Sequence, residues 1–280
     1  MKLLILIALA WPALGQNYQV VADWPTLPAG MAKLNQATAV AVGADNRVYI
    51  AHRNLDQPIM VFDAVSGKHL LSFGKGELLN PHGLNLDPKG HLWITDIELH
   101  QVFEYSPAGK QLRAWGEKGK PGLNDSHFDK PTNVAVAPNG DFYVSDGYGN
   151  SRVAKFGANG KFLLTWGKPG KGIGELDMPH GIALDKRGLV YVCDRGNSRI
   201  QVFDPNGKPL KQWQSTELGR PWGIEFAKDG SIFVVDGGDG PHQGPDRSRA
   251  LKLDAQGNIK RLGARSASLQ DSSIGRMTSR

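Results

Sequence analysis

The chain has 280 residues, 40% of them hydrophobic, which is enough apolar surface to bury a sizeable core. Its single cysteine, Cys193, excludes an intramolecular disulfide, so packing alone must hold the fold. The formal charge of +6 does not make a nucleic-acid stripe. Lys260, Arg261, Arg265, Arg276 and Arg280 crowd the last stretch, where only Asp271 opposes them, and the rest of the chain is close to balanced.

Residues 1–15 read as a signal peptide. Lys2 gives the positive start, Leu3 to Ala10 the apolar run, and Ala13-Leu14-Gly15 a small-x-small cleavage site, so the protein is expected to be exported, either secreted or periplasmic. The run is too short to span a bilayer, and no later segment reaches ~18 apolar residues.

From 16 to 263 the sequence is a tandem repeat with a period of roughly 42 to 50 residues. The copies read ATAVAVGADNRVYIAH from Ala37, PHGLNLDPKGHLWITD from Pro81, PTNVAVAPNGDFYVSD from Pro131, PHGIALDKRGLVYVCD from Pro179 and PWGIEFAKDGSIFVVD from Pro221. Each continues into a third alternating run and then a fourth, three of which end in Phe73-Gly74, Trp115-Gly116 and Trp166-Gly167. Alternating Val, Ile, Phe and Tyr make half-buried strands, and the Asn-Gly and Ala-Gly turns supply the positive φ of tight hairpins. Four strands per repeat form one propeller blade, which cannot bury its own faces and must stack on neighbours. The predicted fold is therefore an all-β propeller with five complete blades visible. Residues 17–36 are available to add one strand, and 264–280 lack alternation and are expected to form a disordered tail. The recurring Asp96, Asp146, Asp194 and Asp236 are expected to act as turn-stabilising acceptors, and Cys193 as a buried small hydrophobe.

Residues that a repeat position does not require are the candidates for function. After the proline position the blades carry Thr38, His82, Thr132, His180 and Trp222, so histidine stands on blades 2 and 4 only. Alternate blades of a six-bladed ring lie a third of a turn apart, and three imidazoles so placed would cap a zinc ion while leaving a fourth position open. For two histidines alone, metal binding and structural hydrogen bonding stand equal. After the aspartate position come Arg53, Ile97, Gly147, Arg195 and Gly237; two guanidiniums sharing one channel call for an anion between them, or for salt bridges to neighbouring aspartates. Tyr148 sits between Gly147 and Gly149, which are expected to turn the backbone sharply and hold the phenol at the channel mouth. A tyrosine becomes a useful base only where nearby cations favour its phenolate.

The run Asp194-Arg195-Gly196-Asn197-Ser198-Arg199-Ile200-Gln201-Val202-Phe203 resembles the NHL repeat consensus, in which Arg199 and Arg152 would be structural. From about Val40 to Phe203 the chain also resembles the peptidyl-α-hydroxyglycine α-amidating lyase (peptidylamidoglycolate lyase) family. The likeness is carried by Pro81-His82-Gly83-Leu84, by the stretch Trp93 to Phe103, and by Val144-Ser145-Asp146-Gly147-Tyr148-Gly149-Asn150-Ser151-Arg152. It implies a six-bladed NHL-type propeller that cleaves a hydroxyglycine-extended peptide to an amide and glyoxylate. By the same resemblance His82 and His180 would bind Zn²⁺, Arg53 and Arg195 the substrate carboxylate, and Tyr148 would be the base. The carbonyls of Val40 and Leu84 would hold a structural Ca²⁺.

Two departures accompany it. Asp129, Gly149, Tyr191 and Val202 stand where the animal enzymes have cysteines. The family's sixth blade, with the third histidine and an aspartate ligand for Ca²⁺, has no counterpart in register, and His242 falls in a loop. The expectation is thus a sixth blade that is truncated, a loss that would impair lyase activity. The competing reading is a non-catalytic exported NHL propeller that binds a peptide or another anionic ligand. Neither reading involves nucleic acid or a membrane span.

Overall fold

The computed structural model describes residues 18–21, 23–238, 249–260 and 277–279. Residues 1–15, read as a signal peptide, and His242 lie outside them. Among the described residues there is no helix, and hence none long and apolar enough to cross a membrane.

Strand β1 spans Tyr18–Val20. Five four-stranded antiparallel sheets follow, each a simple meander. Blade 1 contains β2 (Ala37–Val42), β3 (Arg47–His52), β4 (Ile59–Asp63) and β5 (His69–Phe73). Blade 2 contains β6 (Pro81–Leu86), β7 (Leu92–Asp96), β8 (Gln101–Tyr105) and β9 (Gln111–Trp115). Blade 3 contains β10 (Pro131–Val136), β11 (Phe142–Asp146), β12 (Arg152–Phe156) and β13 (Phe162–Trp166). Blade 4 contains β14 (Pro179–Leu184), β15 (Val190–Asp194), β16 (Arg199–Phe203) and β17 (Pro209–Trp213). Blade 5 contains β18 (Pro221–Phe226), β19 (Ile232–Asp236), β20 (Arg249–Leu253) and β21 (Ile259–Lys260). Strand β22 (Met277–Ser279), within the segment expected to be a disordered tail, pairs antiparallel with β1. The strand expected before the first repeat therefore exists, but its partner is β22 and not a blade edge.

The register explains why the repeat is written as it is. In every blade the first residue of the inner strand pairs with the last of the second: Ala37 with His52, Pro81 with Asp96, Pro131 with Asp146, Pro179 with Asp194, Pro221 with Asp236. The buried aspartate then accepts the N–H groups of the loop entering its blade. Asp96 takes Leu79 at 2.7 Å and Asn80 at 2.8 Å, Asp146 takes Asp129 at 2.9 Å, and Asp194 takes Asp177 at 2.7 Å. Arg152 and Arg199, buried themselves, pair with Asp146 and Asp194 at 2.9 and 2.7 Å and also bind loop carbonyls. They hold blades and loops together, as the NHL likeness implies. Cys193 is fully buried, and burial pushes its thiol pKa up, away from reactivity.

The core lies between blades. Tyr49 and Ala51 of blade 1 pack on Leu84, Leu92 and Ile94 of blade 2, and the same alternation continues to blade 5. The hairpin glycine of one blade also receives the aromatic ring that ends the blade before it. A Cβ on Gly109 would lie 2.6 Å from Phe73, one on Gly160 2.8 Å from Trp115, and one on Gly207 2.6 Å from Trp166. Gly207 has φ +83°, where a side chain is strained in any case. Gly207→Ala is therefore expected to destabilise the protein by about 1–3 kcal/mol, seen as a lower midpoint in thermal unfolding with ligand binding unchanged.

Consecutive inner strands pack side by side from β2 to β18, whereas β18 does not pack in that way against β2 among the described residues. Val235 of blade 5 is 42% exposed, although its counterparts Ala51, Thr95, Ser145 and Cys193 are completely buried. On the other flank, Val40 and Val42 of blade 1 are exposed, while Trp24, Leu34 and neighbouring residues cover the outer part of the same face over Ile50, Met60 and Phe62.

Candidate active site

The site is built where inner strands begin and second strands end. His82 and His180 are the second residues of β6 and β14. Arg53 and Arg195 directly follow the last residues of β3 and β15, and Tyr148 follows β11 by two. These are separate blades, yet the two imidazole ring centres are only 4.8 Å apart.

Both rings are held by main-chain carbonyls of the next blade. His82 Nδ1 lies 2.7 Å from the Thr132 oxygen, and His180 Nδ1 lies 2.6 Å from the Trp222 oxygen. A carbonyl only accepts, so each Nδ1 carries the proton and each Nε2 presents a lone pair. Both lone pairs are directed at one atom: Tyr148 Oη is 3.0 Å from His82 Nε2 and 3.0 Å from His180 Nε2. A phenol has one proton and can satisfy only one of them. The donor set therefore matches a divalent cation shared by two neutral imidazoles.

The electrostatics keep those lone pairs free of protons. Burial, helped by Arg53 and Arg195 and opposed by the Thr132 carbonyl, lowers the His82 pKa to about 4. His180 is held well below its usual value, first by burial and then by His82 and Arg195. Arg195 acts on both histidines, Arg53 on His82 and Arg220 on His180. Arg195 Nη1 donates to Tyr148 Oη at 3.2 Å, and its guanidinium carbon lies 4.3 Å from the Trp222 ring centre. Arg53 Nη1 donates to Gln36 at 2.8 Å, while Arg53 Nε is buried with no hydrogen-bond partner among the described residues. An anion entering between the arginines would give that donor an acceptor.

The glycines beside Tyr148 serve close approach and not turning. Neither has positive φ, but a Cβ on Gly147 would collide with the Pro179 carbonyl and one on Gly149 with the Asp129 carboxylate. Tyr148 N–H, at 3.4 Å from the Lys130 carbonyl, and Gly149 N–H, at 2.9 Å from that of Asp129, tie the segment down.

Val40 and Leu84 occupy the same register position on the neighbouring inner strands β2 and β6, opposite Ile50 and Ile94. The Leu84 side chain is buried, and that of Val40 is 49% exposed. A different set, Asp87, His91 and Glu104, forms the compact metal-type group at the opposite end of β6. There Glu104 is already paired with His91 at 2.7 Å and with Arg113, so its charge is spent on protein partners.

Three further residues escaped the sequence reading. Thr132 and Trp222 act on the histidines through their carbonyls, and Gln36 holds Arg53. Main-chain acceptors leave no mark in a sequence. Trp222, however, stands at the same repeat position as His82 and His180, and that was a usable signal.

The NHL repeat description matches residues 128–156 and 176–203. The chain is 33% identical over 250 residues to peptidyl-alpha-hydroxyglycine alpha-amidating lyase 2 of Drosophila melanogaster, an alignment covering 78% of this chain and 60% of that one. It is 34% identical over 248 residues to peptidyl-glycine alpha-amidating monooxygenase A of Xenopus laevis, covering 77% and 26%. This chain belongs to the peptidyl-α-hydroxyglycine α-amidating lyase family of NHL-repeat propellers. It spans only about a quarter of the monooxygenase and three-fifths of the fly lyase. NHL repeat-containing protein 3 of Homo sapiens, whose name carries no reaction, is 32% identical over 244 residues, covering 81% of this chain and 69% of its own. Among solved structures, streptogramin B lyase superposes with a TM-score of 0.61 at 17% identity, covering 87% and 72% of the two chains, a likeness of fold alone.

The family's cysteine positions fall into two neighbouring pairs here. Asp129 and Gly149 are in contact, and Tyr191 and Val202 face each other across β15 and β16.

Proposed function

We propose that the protein is a zinc-dependent lyase that cleaves the C–N bond of a hydroxyglycine-extended amide, releasing an amide and glyoxylate. The observation that supports this most is the meeting of two Nε2 lone pairs, the Tyr148 hydroxyl and the Arg195 guanidinium at one point.

His82 and His180 would hold Zn²⁺ through Nε2, and the ion would supply positive charge beside the developing alkoxide. Arg53 and Arg195 bind the substrate carboxylate and fix the reacting carbon against Tyr148. Tyr148 Oη takes the proton of the substrate hydroxyl. The freed oxygen electrons form the C=O bond of glyoxylate as the C–N pair leaves onto nitrogen, which then takes up a proton. No electrons are gained or lost, so no redox partner is needed. Structural Ca²⁺ on the carbonyls of Val40 and Leu84, export, and closure by a sixth four-stranded unit belong to the same proposal. Such a unit would cover the exposed Val235, Val40 and Val42.

The test is glyoxylate release from α-hydroxyhippurate by the full chain, expected to disappear with EDTA and return with zinc. No turnover with zinc fully bound would overturn it. The competing reading, a non-catalytic propeller for a peptide or other anionic ligand, draws on the presence of only two histidines at the site among the described residues. It requires no stoichiometric zinc.

A further inference from the structure

At the repeat position after the proline, four of the five residues reach forward to the main chain of the next blade. Thr38 and Thr132 donate their hydroxyls to the carbonyls of Pro81 and Pro179 at 2.9 and 2.8 Å, and His82 and His180 donate Nδ1–H to those of Thr132 and Trp222. The Trp222 indole lies back over blade 4, with the Arg195 guanidinium carbon over the ring 4.3 Å from its centre. Space for the ring comes from Gly237, the residue after the blade 5 aspartate, where any Cβ would collide with the indole. At that same repeat position blades 1 and 4 carry the two arginines.

We infer that Trp222 is the positioning residue for Arg195, covering one face of its guanidinium and so fixing the orientation in which Arg195 meets an anionic substrate group beside Tyr148. This rests on the proposed reading of the arginines as a carboxylate site. The ring so placed fixes the orientation of the fork and removes rotamers that would otherwise be lost on binding. The carbonyl of Trp222 orients His180 whatever the side chain is, while the indole lies on Arg195 and also packs against the His180 ring, 5.8 Å between ring centres. The consequence is an unequal defect: changing the side chain should weaken anion binding, while His180 keeps the carbonyl that orients it and with it the metal site.

Hippurate carries the carboxylate but no hydroxyl and cannot be turned over, so its binding, read by calorimetry on the zinc-loaded full chain, reports the anion site alone. Trp222→Leu is expected to weaken hippurate about tenfold, with Trp222→Phe recovering most of the loss and zinc stoichiometry unchanged in both. In turnover of α-hydroxyhippurate the KM should rise more than the kcat falls. Should the leucine variant not fold, Trp222→Met gives the same comparison. Hippurate affinity within twofold of wild type in a folded variant overturns the inference, as does loss of zinc in parallel with affinity. Failure of the wild type itself to bind hippurate overturns the carboxylate site and this inference with it, and is distinguished by the absence of any difference between variants.

Discussion

Tyr148→Phe is expected to lower turnover of α-hydroxyhippurate by about 10²–10⁴-fold, the usual contribution of a positioned acid or base. The hydroxyl is the single atom that both histidines and Arg195 approach, at 3.0, 3.0 and 3.2 Å. Removing it deletes the proton acceptor while the ring can keep its edge-on packing against His82 and His180, 5.1 and 5.5 Å away between ring centres. Hippurate affinity and zinc content should therefore be close to wild type. A rate that falls less than threefold would exclude Tyr148 as the base.

His180→Ala is expected to reduce zinc from about one ion per chain to a trace, measured by elemental analysis after dialysis. A cation shared by two imidazoles loses half its protein ligands at once. The wild type should gain thermal stability on zinc addition, because a ligand that binds only the folded state shifts the unfolding equilibrium. The variant should show no such gain. Stoichiometric zinc in His180→Ala would place the metal elsewhere, with Asp87, His91 and Glu104 the first place to look. For that reason His91→Ala is the control, and it should leave zinc content unchanged.

The repeat was legible because each of its letters has a local physical cause. Pro131 and Asp146 recur as they do because they pair across the register and the carboxylate caps the entering loop. The aromatic at the end of one blade recurs because a hairpin glycine in the next leaves room for it. His82, His180, Arg53, Arg195 and Tyr148 were legible for the opposite reason, as departures from a pattern that does not need them. Gly147 and Gly149 were found in the sequence but misread. Only contacts with Pro179 and Asp129, 32 and 20 residues away in the chain, show that they are bare for want of space and not for freedom of turning.

By itself the sequence determined an all-β propeller of four-stranded blades, since alternation and turn chemistry are local properties that survive in one dimension. It also determined which side chains were candidates for chemistry. Tertiary structure alone decided which nitrogen each histidine presents, because the deciding acceptors are carbonyls of Thr132 and Trp222 contributed by the following blades. It decided that the indole of Trp222 belongs with Arg195, and that the flanks of blades 1 and 5 leave Val40 and Val235 exposed. These depend on stacking between blades, and stacking is where a repeat protein brings distant parts of its chain to one point.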